Sequence, residues 1–237
     1  MEKLSRLFFR HVTEDKEATF CIGPKNYGEN CSIVLKSFRT MKPRTWLEVT
    51  AINLSLFLVH KARLPTRDFK FFPTFFIQQL VDGHANQLTQ LVDNKLKIAY
   101  STVKNYSRNR WGKQRVFGCM KPRVVPICKG ANHWVMLVVY VQERKIRYFD
   151  SFKSPDPLFC DLVHMYLEEK WKALFLIDDH DNGPWILVKK SPKGDTPQKN
   201  GWDCGILMCG KVEHLFAKRK LPRGAEQCFE RRMEYAL

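Results

Sequence analysis

Hydrophobic and polar positions alternate along this chain in a few long, legible blocks. Trp134–Val141 is an almost continuous apolar run, the pattern of a strand covered on both faces. The polar stretch Gln142–Lys145 predicts a turn, and Ile146–Phe149 predicts a second strand that stops at Asp150. A hairpin centred between Glu143 and Arg144 sets Asp150 opposite Leu137, whereas one centred on Gln142 sets it opposite Trp134; both registers stay open at this level. Ile206, Leu207, Met208, Cys209, Val212, Leu215 and Phe216 recur at helical spacing, which predicts a buried helix opened by Gly205 with Cys204 at its N-terminus. A further helix is predicted from Trp46 to about Arg63, with Leu47, Ile52, Leu54, Leu58 and Val59 on its apolar side, Thr45 as its N-cap and Leu64-Pro65 as its end. The remaining signals are shorter. They predict a strand over residues 32–35, a helical block from Pro73 to Leu80, a turn at Asp82-Gly83 and a block from Leu88 to Ala99. Beyond the Pro-rich loop 154–157 they predict a helix from Leu158 to about Lys172, a strand over 185–188 and a short helix from Ala225.

The 237 residues suit one domain with a short extension, and 44% hydrophobic with 13% aromatic residues supply a sizeable core, so disorder is not the default reading. Residues 1–40 read as an N-terminal lead and 41–237 as the main domain. The eight cysteines are dispersed, none with the two-residue gap of a zinc knuckle or redox motif. The first residues lack a signal-peptide apolar core and no apolar run reaches membrane-spanning length, so we expect a reduced, intracellular setting, nuclear or cytoplasmic, away from membranes. The net charge of +16 predicts attraction to acidic proteins or nucleic acid. Lys104 to Arg115 holds basic residues interleaved with Tyr106 and Trp111: either a stripe for weak nucleic-acid contact or a solvated helix face with the tryptophan tucked inward.

The chemistry concentrates in residues 196–205. A thiol attacks carbonyls as its thiolate, so a catalytic cysteine needs an electropositive, partly exposed seat and a nearby base. Cys204 stands between the polar Asn200-Gly201 turn and Gly205, at a predicted helix N-terminus whose dipole favours the anion. His133, at the start of the apolar strand, is the candidate base, and Asp150 the carboxylate that fixes its tautomer and stabilises its cation. The amide of Gln198, six residues before Cys204, is a candidate donor to the oxyanion, with the Cys204 backbone N–H as the second.

These residues, His133-Trp134, Asp150-Ser151 and Gln198 with Asn200-Gly201-x-Asp203-Cys204-Gly205, resemble the proteases that cleave ubiquitin-like modifiers, the SUMO protease family, to which the adenovirus maturation protease is distantly related. Trp46-Leu47 and Phe72-Pro73-Thr74-Phe75-Phe76 extend the match upstream, Pro126 falls on the family's strand entering the histidine, and the likeness runs from Trp46 to Cys209. The resemblance implies an α+β, papain-like fold: a central mixed sheet carrying His133 and Asp150, packed against a helix headed by Cys204, with residues 41–237 as catalytic domain. It implies hydrolysis after the C-terminal Gly-Gly of a ubiquitin-like modifier, SUMO-type first, from precursors or conjugates, with no metal or organic cofactor. It also implies that Trp46 and Trp134 close over the glycines as a tunnel that side chains cannot enter. The chain departs from the family at Val49, where a family Asp commonly pairs with a basic residue of the modifier, so the identity of the modifier is left open. Two rivals remain: a viral or mobile-element maturation protease assisted by nucleic acid through its basic surface, and an idle domain that only binds modifiers.

Overall fold

The computed structural model describes residues 19–21, 32–62, 69–82, 103–104, 121–175, 183–195 and 197–236. The basic stripe beyond Lys104 and the block Leu88 to Ala99 lie outside the described residues. The chain divides into two compact units, one comprising residues 1–67, 128–134 and 194–237, the other 68–127 and 135–193.

In the first unit, β1 (Thr19–Cys21) pairs antiparallel with β2 (Ser32–Val34), and the chain continues into the short α1 (Leu35–Phe38) and a 3-10 turn, Arg39–Met41. Then comes α2 (Val49–Ala62), which begins three residues later than the sequence predicts. The reason is the hydroxyl of Thr45, which does not cap the helix: it donates to the carbonyl oxygens of Thr40 (2.8 Å) and Lys42, folding the segment back on itself. Trp46, Leu47 and Glu48 therefore form a lead-in to α2, and the first helical bond runs from Ile52 N–H to the Glu48 carbonyl (3.0 Å).

The helix Cys204–Ala217 of the same unit is buried from Cys204 to Glu213, with Lys211 and Glu213 taken inside as members of ion pairs; Cys204, expected at a partly exposed seat, is itself buried. The helix stops where Lys218 turns left-handed (φ 58°). The last helix of the chain, Gly224–Ala236, is longer than the short element read from sequence, and it buries Cys228, Arg231, Arg232, Met233 and Tyr235.

The second unit is built on a mixed sheet. Its strands are β3 (Lys70–Phe71), β4 (Arg123–Lys129), β5 (His133–Tyr140), β6 (Lys145–Phe149) and β7 (Ile186–Val188), hydrogen-bonded in that order. Residues 128–134, the ends of β4 and β5 with the turn between them, group with the first unit. β3 runs parallel to β4, β5 antiparallel to β6, and β6 parallel to β7. Helix α3 (Phe76–Asp82) follows β3, starting three residues after the predicted Pro73, and α4 (Pro157–Phe175) separates β6 from β7. With these, the two helices of the first unit after β7 are α5 (Cys204–Ala217) and α6 (Gly224–Ala236). Leu137, Val139, Ile146 and Tyr148 from the sheet, Phe72, Phe76 and Leu80, and Cys160, Val163, Tyr166 and Leu167 of α4 form one apolar core. Among the described residues, no helix is long and apolar enough to cross a membrane.

The β5–β6 hairpin resolves the two registers by choosing a third. Arg144 N–H donates to the Val141 carbonyl (3.2 Å) and Met136 pairs with Phe149, so the hairpin is centred between Gln142 and Glu143. Continued by one pair, that register sets Asp150 opposite Val135, neither Leu137 nor Trp134.

Candidate active site

The loop that presents Cys204 is organised by one amide. Asn200 Oδ1 accepts the backbone N–H groups of Trp202 (3.1 Å) and Asp203 (3.0 Å), an Asx turn, while its Nδ2 donates to Asp203 Oδ2 (2.8 Å). Asp203 occupies the N-cap position of α5 but makes no side-chain capping bond, because its carboxylate is held by Asn200 and by Arg232 (3.1 Å). The first intrahelical bond runs from Leu207 N–H to the Asp203 carbonyl (2.9 Å). The N–H groups of Cys204, Gly205 and Ile206 accordingly have no acceptor within the helix and point out of its first turn, where they and the dipole favour an anionic sulfur.

Gly205 lets that turn approach its support. A Cβ at this position would come within 2.8 Å of Ile52 Cδ1, 3.0 Å of Leu47 Cδ1 and 3.1 Å of Leu47 Cβ, the first closer than packed side chains keep and the other two tighter than most. Leu47 therefore seats the head of α5 with its side chain, and with its carbonyl it accepts the indole N–H of Trp134 (2.6 Å). Trp134 in turn stacks on Trp46, ring centroids 5.3 Å apart and planes 14° from parallel. The two tryptophans are thus brought together, joined through Leu47 to the residue after Cys204.

His133 opens β5 half-buried. Its backbone N–H donates to the sulfur of Cys128, a thiol pushed above its ordinary value first by burial and then by the charge of Cys204. Cys128 thereby sets the backbone of His133 and the sulfur of Cys204 in one neighbourhood. Burial also raises the thiols of Cys160 and Cys228, each to about 12, and that of Cys209 further, which keeps all three protonated at neutral pH. Gln198 is buried, and its Nε2 donates to the Asn200 carbonyl (2.5 Å), so one amide hydrogen is engaged inside the loop.

Asp150 belongs to the second unit. It is buried; its Oδ1 accepts the Phe152 N–H (2.8 Å) and its Oδ2 lies 3.4 Å from the Tyr148 hydroxyl. Its backbone is tied to the Ser191 hydroxyl, which accepts the Asp150 N–H (2.5 Å) and donates to the Asp150 carbonyl (3.1 Å). Tyr148 is held protonated by burial first and by the Asp150 charge second, so it remains a donor to the carboxylate. Of the predicted residues, Trp46, His133, Trp134, Gln198 and Cys204 lie in one unit and Asp150 in the other.

The structure gives Asn200, read from sequence only as part of a turn, the task of organising the loop, and it adds Cys128 and Arg232, which carry no local signal. Of the basic stripe only Lys104 is described, and its carbonyl accepts the ammonium of Lys170 (2.5 Å).

The sequence model of the Ulp1 protease family, C-terminal catalytic domain, matches residues 45–233. Ubiquitin-like-specific protease 1A of Arabidopsis thaliana is 28% identical over 225 residues, covering 93% of this chain and 40% of that protein. Human Sentrin-specific protease 2 is 24% identical over 214 residues, covering 86% of this chain and 33% of that protein. The chain thus spans less than half the length of these relatives. Among solved structures, the SUMO protease Ulp1 with its catalytic cysteine oxidized to a sulfonic acid has the same fold, with a TM-score of 0.71 at 20% identity, covering 100% of this chain and 93% of that one. The C-terminal Ulp1 protease domain in complex with Smt3, the yeast ortholog of SUMO, matches with a TM-score of 0.69 at 18% identity, covering 100% and 93%.

Proposed function

We propose that this chain, which belongs to the Ulp1 protease family, is a cysteine protease that hydrolyses the peptide or isopeptide bond after the C-terminal Gly-Gly of a ubiquitin-like modifier of SUMO type. The observation that carries this reading is the joint between Cys204 and the tryptophan pair: Leu47 touches the position after the nucleophile with its side chain and holds Trp134 with its carbonyl. A stacked pair of indoles beside a helix-headed thiolate suits a substrate strand without side chains.

In this scheme Cys204 attacks the carbonyl carbon of the last glycine and His133 takes the thiol proton, delivering it to the leaving amine. Gln198, through its side-chain amide, and the Cys204 N–H receive the oxyanion. Water then attacks the thioester with His133 as base, releasing the modifier. Asp150 accepts the imidazole N–H and stabilises the cation. The hairpin register supports its role, since Asp150 falls opposite Val135 and alternation along β5 gives residues 133 and 135 the same face. Residues 41–237 form the catalytic domain and 1–40 a lead, and the enzyme works inside the cell, in the nucleus or cytoplasm, on modifier precursors or conjugates.

The test is a panel of modifiers carrying a fluorogenic group on the terminal glycine, with Gly-Gly and Ala-Ala ends compared. Release from a SUMO-type Gly-Gly end and rejection of its Ala-Ala counterpart is the expected result. No release from any member, or equal release from both ends, overturns the reading.

A further inference from the structure

We infer that Arg232 is a positioning residue for the reaction, one guanidinium that locks the nucleophile loop to the segment carrying Trp46 and neutralises the carboxylate next to the reacting sulfur. This deepens the proposed function and rests on Cys204 being the nucleophile.

Arg232 lies on α6 with 1% of its surface exposed. One terminal nitrogen donates to the Trp202 carbonyl (2.8 Å) and to Asp203 Oδ1 (3.1 Å). The other donates to the carbonyls of Thr40 (3.1 Å) and Lys42 (3.2 Å). Those two carbonyls are the ones that receive the Thr45 hydroxyl, immediately before Trp46. A single planar fork thus gathers the two residues ahead of Cys204 and the turn ahead of Trp46, which are more than 150 residues apart in the chain. Lysine cannot reproduce this, because a point ammonium has no fixed fork to serve four oxygens at once.

The charge has a separate task. Asp203 directly precedes Cys204, and an uncompensated carboxylate there opposes formation of the thiolate. Arg232 pairs with it inside the protein, and although burial weakens its hold on its proton, a guanidinium keeps its charge. The other titratable or charged groups facing this pair are Cys228 and Arg231 on α6 itself and Cys204 at the head of α5. The neighbouring Arg231 is paired with the buried Glu213 at 2.6 Å.

The experiment separates the two tasks in the full chain. The pH profile of Cys204 alkylation by iodoacetamide, with Cys204→Ala as blank, reads the sulfur without any substrate; kcat and KM on the activated modifier read the geometry. Arg232→Met should move the alkylation midpoint up by about one pH unit, slowing the reaction at neutral pH by about tenfold. Adding Asp203→Asn to it should return the midpoint toward wild type while kcat stays low. Arg232→Lys should keep the midpoint but lower kcat by about tenfold or more at little changed KM, the signature of a displaced reacting group. Wild-type kcat in Arg232→Lys, or an unmoved midpoint in Arg232→Met, overturns the inference. Should Arg232→Met not fold, Arg232→Lys and the double variant decide alone. A wild-type chain that alkylates at Cys204 and responds to these changes but cuts no modifier defeats the proposed function and leaves this inference standing.

Discussion

The two units are held together by different forces. The second has a continuous apolar core, from Phe72 and Phe76 through Leu137 and Val139 to Tyr166 and Leu167, with ions at its margins such as Lys189 with Asp161. The first also buries apolar side chains, but around α5 it buries charges: Asp203 with Arg232, Glu213 with Arg231, and Lys211 with Asp195. Apolar burial is non-directional, so it stabilises a sheet without fixing any atom to a fraction of an ångström. Hydrogen-bonded ions cost desolvation but act along fixed directions, and that is useful where a sulfur must stand in one place.

The contrast can be broken at several points. The largest effect belongs to Cys204→Ala, which should abolish turnover and covalent capture by an electrophilic modifier probe while leaving the melting temperature within a few degrees of wild type. Measurable turnover in this variant refutes the nucleophile assignment. Next come two deletions of fully buried groups. Glu213→Ala removes the buried carboxylate shared by Arg231 and Arg219, leaving Arg231 only the more exposed Glu234 (3.3 Å), and should destabilise by up to about 3–5 kcal/mol, and Leu137→Ala should cost about 2–5 kcal/mol through the cavity it leaves, both read from denaturant midpoints. If Glu213→Ala is nearly neutral, the ionic clamps are ornaments on an apolar unit.

A third handle is alkaline pH. Cys160 and Cys228 titrate at about 12 in the folded chain against an ordinary value of 9.0. Between those limits the unfolded state loses protons that the folded state keeps, so stability is intact below about pH 9 and falls above it, by up to about 1.4 kcal/mol per pH unit for each thiol. Urea midpoints that stay flat from pH 9 to 11 would contradict this. The smallest effect is expected at the rim: Lys189→Ala breaks a half-exposed pair and should change stability by less than about 1 kcal/mol. A larger loss would mean that the second unit also relies on ions.

This difference governs what the sequence makes legible. β5, the hairpin and α5 follow from local period, and the turn before Cys204 from residue type, because each signal and its cause lie within a few residues. The start of α2 was misread at Trp46, since Thr45 is a good cap by type and only the fold engages its hydroxyl with Thr40 and Lys42. The hairpin register turned on one bond, Arg144 to Val141, which no pattern in Gln142–Lys145 announces. Arg232 was invisible because an arginine in a helix near the end of a chain resembles any solvated one until Trp202 and Thr40 come to it.

Gly205 carries a lesson about inheritance. A Cβ there would meet Ile52 and Leu47, which would have to give way at the seat of the first turn of α5. A gene copy could therefore keep every residue of the proposed reaction, His133, Asp150, Gln198 and Cys204, and still be impaired by one changed codon at a position that does no chemistry. Any census of working and decayed copies should score this glycine beside the residues that react.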